Sequence, residues 1–455
     1  MNFTLEKYQG RGVRHLMASP YSGLLMDPGT GKTLTVLAAF YELKRRNLVD
    51  RLLVAAPLNA AYEVWPAEVQ KWGFPFRCEI LHGLKKAEAA EREADIYSMN
   101  YEGFGWFFGT NAHRHVMDGK RVWLVMDEST KLKNTSSQRF KTLAPHLGRF
   151  ARRSALTGTP APKSLLDLFG QVKAMDLGER LGRYITQYRR EYFYSTGYGG
   201  YTWAPQEGAE ERIYKALDGL FYRVSDEVLG LKKPRYVERW VSLDPKARSL
   251  YEKLERDCIH EFSNRSKVTA VNAGVLTQKL RQIANGAVHD AKGRIQQVHT
   301  AKVDEIEELV ESLQGNPLLV GYEFTNDGER LAKRLDAPMI KGGMNRAEVK
   351  RLFAQLNAGK LHALICQASA AAHGLNLQEA CHDVSWFGLP WNLETYIQFN
   401  RRVHRKGQKH RVTIHQVLAR DTVDELTLST ALKKGATQDK LLAALMKHWL
   451  VRSKK

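Results

Sequence analysis

MDPGTGKTLTVLAAF, residues 26–40, follows the short apolar run Gly23–Met26 and leads into an amphipathic stretch, Thr33–Arg46. A strand, a glycine-rich turn and a helix in that order are the context of a phosphate-binding loop. Gly29 and Gly31 let the backbone bend so that its N–H groups point inward, and the helix N-terminus adds positive potential there. Gly29, Thr30, Gly31, Lys32 and Thr33 then form the cradle. Lys32 is expected to reach the terminal phosphates, and the Thr33 hydroxyl to ligate Mg²⁺. Met26 stands where the usual first glycine would be, while GTGKT is intact.

A magnesium nucleotide needs a further carboxylate, and RVWLVMDEST, residues 121–130, offers one at the end of an apolar strand. Asp127 is expected to hold Mg²⁺, and Glu128 to orient or deprotonate the attacking water. SALTGTPAP, residues 154–162, puts Thr157 and Thr159 on a turn where they could sense the γ-phosphate and couple its loss to the rest of the chain.

Further outward, strand-like runs recur at Leu52–Ala56, Val122–Met126 and Ser154–Thr157, then at Leu318–Tyr322, Ala363–Cys366, Val384–Phe387 and Val412–Val417. Helical stretches such as Arg346–Asn357 lie between them, so two α/β lobes with parallel sheets are expected. Residues 176–300 differ, being helical in pattern and rich in Arg, Tyr and Glu. Leu243–Phe262 reads as a helix started by Asp244-Pro245. YFYSTGYGGYTW, residues 192–203, reads as a surface turn or a nucleic-acid-contacting loop.

The 455 residues carry a formal charge of +20, with basic residues spread along the whole chain, which points to a polyanionic partner. The four cysteines, Cys78, Cys258, Cys366 and Cys381, form no CxxC pair, so neither a zinc site nor a disulfide framework is expected. The sequence has no uninterrupted apolar run long enough for a membrane span and no secretory leader at the start, so a cytoplasmic location is expected.

The order of these motifs resembles helicase superfamily two, and within it the Swi/Snf-like ATPases. The resemblance runs from about residue 5 to about residue 430. Tyr8-Gln9 resembles the Q motif, so Gln9 would read the adenine; residues 55–72 resemble motif Ia, DEST motif II and LTGTPAPKSLLDLF motif III. LRQIAN (280–285), residues 316–335 and IKGGMNRAEVKRLF (340–353) continue the series. So do HGLNLQEA (373–380), WNLETYIQFNRRVHRKGQ (391–408) and TVDEL (422–426).

The resemblance implies two tandem RecA-like lobes, 1–175 and 301–455, with helical insertions and an aromatic linker over 176–300. It implies ATP and Mg²⁺, arginine fingers at Arg402 and Arg405, nucleotide contact at Gly374 and coupling through Gln398. It also implies DNA contacts at Pro57, Leu58, Lys341, Gly342 and Trp391. The expected protein is a monomeric, ATP-driven translocase or helicase of a bacterium or phage. Its track would be DNA, duplex in preference to single strands, with RNA less favoured. Alternatives are the motor subunit of a restriction or repair nuclease, or a nucleic-acid-binding scaffold with a silent ATPase. Two departures stand out. Residues 367–372 read QASAAA, without the family's Ser/Thr and Arg, and Arg401 replaces the usual acidic residue before Arg402.

Overall fold

In the computed structural model, which describes residues 4–58, 60–158, 164–196, 202–264, 270–289, 294–371 and 377–428, the chain divides into two compact units at Gly230–Leu231. The strands of the first unit are β1 (Tyr21–Met26), β2 (Arg51–Ala56), β3 (Cys78–Ile80), β4 (Ile96–Asn100), β5 (Val122–Asp127), β6 (Arg152–Thr157), β7 (Phe193–Thr196), β8 (Thr202–Pro205) and β9 (Phe221–Val224). Seven of them form one parallel sheet in the order β3-β4-β2-β5-β6-β1-β9. Its central strands RLLVAA and VWLVMD are buried along their whole length, as expected where helices cover both faces of a parallel sheet. Alternate residues feed two cores: Leu53, Leu124 and Met126 on one face, Leu52, Val54, Trp123 and Val125 on the other.

The second unit contains β10 (Arg235–Val241), β11 (Ala287–His289), β12 (Ile295–Gln297), β13 (Leu318–Tyr322), β14 (Met339–Ile340), β15 (Ala363–Gln367), β16 (Asp383–Trp386) and β17 (Thr413–Ala419). Its parallel sheet has the order β10-β17-β16-β13-β15-β14. Leu318, Val320 and Ile365 pack on one face, and Leu319, Leu364 and Trp386 on the other. The α/β class with two parallel sheets is therefore as read from the sequence.

Residues 176–300 are shared between the units: β9 closes an edge of the first sheet and β10 an edge of the second. β10, RYVERWV, exposes charged residues along its length, a pattern that protects a sheet edge from pairing with other chains. The helix read at Leu243–Phe262 spans Pro245–Asn264, and Asp244 Oδ1 accepts from the Ala247 amide at 2.9 Å as the expected start signal. Of the aromatic stretch 192–203, Phe193–Thr196 and Thr202-Trp203 lie in an antiparallel strand pair, β7–β8, and residues 197–201, the centre of the expected turn or loop, lie outside the described residues. LRQIAN ends the helix Ala270–Asn285 inside the second core, where Leu280, Ile283 and Ala284 are buried. Among the described residues no helix is long and apolar enough to cross a membrane.

Candidate nucleotide site

Strands β5, β6 and β1 are neighbours, and their register brings their C-terminal ends together: Leu156 lies opposite both Asp127 and Leu24, and Thr157 opposite Leu25. The C-terminal edge of an open parallel sheet is where such folds bind ligands. From Met26 the chain turns through Gly29 (φ 89°) and Gly31 (φ 86°), left-handed conformations that only glycine adopts cheaply, into the helix Lys32–Arg45. The turn is held from within. The Thr30 amide and hydroxyl both donate to Asp27 O, at 3.2 and 2.6 Å, and Lys32 Nζ donates to Met26 O at 2.8 Å. Thr33 is half-buried at the start of the helix. Thr157 is buried at the end of β6, and Gly158 follows it so closely under the loop that a Cβ there would lie 2.9 Å from Pro28 Cδ.

Gln9, expected to face an adenine, is buried behind this loop. Its Nε2 donates to Thr30 O at 3.1 Å, and its Oε1 accepts from the Glu6 amide at 3.0 Å. A Cβ at Gly31 would fall 2.3 Å from Gln9 Nε2, so the glycine also makes room for the amide that braces the loop. Tyr8 is half-buried against the core that contains Leu16 and Leu37.

Asp127 ends β5 with 8% of its surface exposed. Trp65 Nε1 donates to its Oδ2 and the Glu128 amide to its Oδ1, each at 3.1 Å, and the Tyr101 hydroxyl donates to its backbone oxygen at 2.8 Å. Burial pushes the carboxyl's pKa up, while the positive charge of Lys32 and these N–H donors pull it down; the net direction is upward. Glu128 is a non-glycine residue in the left-handed region (φ 53°), so the chain leaves the strand abruptly at the acidic pair. Ser129 Oγ donates to Gln171 Oε1 at 2.7 Å, which ties DEST to the helix Asp167–Asp176. Tyr101 and Gln171 were not singled out from the sequence. A tryptophan downstream of Pro57-Leu58 was part of the motif Ia resemblance, but the segment 55–72 holds two, Trp65 and Trp72, and no contact to Asp127 was read for either.

Other candidate residues fall elsewhere. Pro57 is buried and Leu58 half-buried just beyond β2. In the second unit Lys341 is exposed, and the Gly342 amide donates to Gln367 Oε1 at 2.9 Å. Gln367, which stands where the family has Ser or Thr, therefore anchors that loop. Trp391 lies 5.0 Å from the Arg281 guanidinium. On the helix Leu393–Asn400, Gln398 Nε2 donates to Glu394 Oε1 at 3.2 Å. Arg402 and Arg405 follow that helix, half-buried; the Arg402 carbonyl accepts from the Leu377 amide at 2.9 Å. Burial raises the Cys366 thiol pKa, and the charge of Arg402 opposes it. Thr159 and Gly374 lie outside the described residues.

The structure thus gathers Lys32, Thr33, Asp127, Glu128 and Thr157 at one edge of one unit, whereas Arg402 and Arg405 belong to the other. A family profile described as SNF2-related domain matches residues 8–289, and one described as helicase conserved C-terminal domain matches 301–407. Protein p41 of Acyrthosiphon pisum secondary endosymbiont phage 1 is 30% identical, over 97% of this chain and 99% of that protein. An uncharacterized ATP-dependent helicase of Mycoplasma genitalium is 24% identical over 92% of this chain, which spans only 40% of it. The solved Sulfolobus solfataricus SWI2/SNF2 ATPase core in complex with dsDNA is 19% identical, over all of this chain and 96% of that one, with a TM-score of 0.45.

Proposed function

The chain belongs to the SNF2-related family, and on that premise we propose that it hydrolyses ATP to drive movement along DNA, with duplex DNA as the favoured track. The observation that carries this reading is the C-terminal edge of the first sheet, where the glycine loop, Lys32, Asp127 and Glu128 stand together. The loop amides and helix N-terminus hold the triphosphate, and Lys32 exchanges the Met26 carbonyl for phosphate oxygens. The donors fit Mg²⁺: a hydroxyl (Thr33) and a carboxylate (Asp127) are the hard oxygen ligands it takes, and a carboxylate whose burial raises its pKa gains from a cation. When bound, the metal neutralises charge on the transferring phosphoryl group. Glu128 orients the attacking water, and Thr157 with Thr159 registers loss of the γ-phosphate. Arg402 and Arg405 bring guanidinium groups from the second unit, with Gln398 beside them, so that hydrolysis depends on the two units closing.

The excess of 20 positive charges and the family's motor role favour DNA, gripped at its phosphates through the 57–58 and 341–342 loops and Trp391. Phosphate contacts carry no sequence information, which suits a motor that steps along any sequence. The protein acts as a monomer in the cytoplasm of a bacterial or phage-infected cell. ATP turnover measured with duplex DNA, single-stranded DNA and RNA tests the reading, with the largest stimulation expected from duplex. A triplex-displacement assay then separates translocation from unwinding. A well-folded protein that no nucleic acid stimulates overturns the proposal.

A further inference from the structure

We infer that Trp65 is the positioning residue of the Asp127 carboxylate, and through it of the bound magnesium nucleotide; this rests on the reading above. The indole is fully buried, and its N–H is aimed at Oδ2 at 3.1 Å. The other oxygen, Oδ1, is met by the amide of the adjacent residue, Glu128, at the same distance. Rotation about the terminal torsion of an aspartate is soft, so a carboxylate held only by its neighbour's amide would be free to turn its plane. A donor on each oxygen removes that freedom and leaves a lone pair on each oxygen for a ligand.

The kind of donor matters as much as its place. A lysine or arginine at this position would orient the carboxylate but would also neutralise the charge that a cation needs. An indole N–H is neutral and cannot accept, so it orients Asp127 and leaves its charge available. The fold supplies this donor deliberately. Between β2 and the helix Trp65–Lys71 the chain makes a π-helical turn, Ala60–Val64. Such turns are rare and frequent at functional sites. Trp65 is the first residue after it and reaches a strand 62 positions away in sequence. Ser98 of the neighbouring strand β4 fastens the same turn by donating to Ala61 O at 2.7 Å. The indole is therefore a rigid strut between the segment that follows β2 and the acidic end of β5.

Trp65→Phe keeps an aromatic ring in the core and removes the N–H together with part of the indole's bulk, so the magnesium-free arm below reads the packing change separately. The test titrates a fluorescent ATP analogue into the full chain, in Mg²⁺ and again in EDTA. The wild type should bind more tightly with magnesium. In Trp65→Phe that magnesium-dependent gain should shrink by about 10-fold, the usual scale for losing a hydrogen-bond partner of a metal-ligating group. Its affinity in EDTA should stay within about twofold of wild type, which also reports that the loop is folded. A wild-type magnesium gain in Trp65→Phe overturns the inference. So does an equal loss with and without magnesium, because the indole would then act by packing alone. A wild-type protein that binds the analogue no better with magnesium overturns the ATPase reading and this inference with it.

Discussion

At the end of β1 the chain takes the residues Asp27 to Gly31, two of them glycines with positive φ, before its helix starts at Lys32. At the end of β13 in the second unit it takes only Glu323 and Phe324 before the helix Thr325–Leu335. Each sheet is parallel and has a core on both faces, yet these junctions are chemically opposite. In the first, the groups at the turn are donors that meet backbone carbonyls: Lys32 Nζ donates to Met26 O and the Thr30 amide to Asp27 O. In the second, Glu323 is ion-paired with Arg281, and the buried Asp327 in the first helical turn accepts from Asn285 at 2.6 Å and Arg330 at 2.9 Å. Carboxylates occupy the positive end of that helix, where phosphate would otherwise bind. A parallel sheet with a helix after the strand thus makes a possible anion site, and the connecting residues decide whether it becomes one. The second unit instead offers guanidinium groups, after the helix Leu393–Asn400.

The sharpest way to break this contrast is to remove the second unit's contribution. Arg402→Ala should lower ATP turnover by about 10³-fold or more, the scale of an arginine finger, while nucleotide affinity changes only severalfold. Near-normal turnover would mean that the first unit works alone. Next, Glu128→Gln should lower turnover by about 10²–10⁴-fold with nucleotide binding retained. In an equilibrium titration Lys32→Ala should abolish binding altogether, showing a single site per chain; residual stoichiometric binding would place a second site in the other unit. DNA affinity should fall steeply with salt, by about 10³-fold or more between 50 and 200 mM if six or more phosphates are contacted. A flat salt dependence would remove charge as the basis of that interaction.

The smallest effect concerns the opposite edge of the first sheet. Arg121 hydrogen-bonds Asp50 there and lowers its carboxyl pKa to about 2. A depressed folded-state pKa gives stability that is present above the ordinary aspartate range and lost as pH falls toward 2. Asp50→Asn should therefore cost well under about 1 kcal/mol at pH 7, since the pair is partly exposed. The difference should close as the pH of a urea titration is lowered below 4, and ATP turnover should not change.

The central strands were legible because both faces of a parallel sheet are buried, which leaves unbroken apolar runs such as VWLVM. Strand β4, IYSMN, was not legible: Ser98 is buried in it, and its hydroxyl finds a partner only once the 60–64 turn lies beside it. The short β3 and the charged edge β10 likewise lack an apolar run. Gln9 was singled out for a base; that its amide also bridges Glu6 and Thr30 was not legible, because the Thr30 contact is made across 21 residues of chain.

What the sequence determined by itself is the chemistry carried by contiguous residues: glycines where φ must be positive, a lysine and threonine opening a helix, an acidic pair closing an apolar strand. Those features depend on local backbone geometry, and neighbours in the chain specify it. Only the tertiary structure decided which distant groups hold that chemistry in place. The close approach of Gly158 to Pro28 follows from the register of β1 and β6, and the indole beside Asp127 and the glutamine behind Gly31 follow from helices packed against that sheet. That register is set by burial across the whole sheet, and no single stretch of sequence contains it.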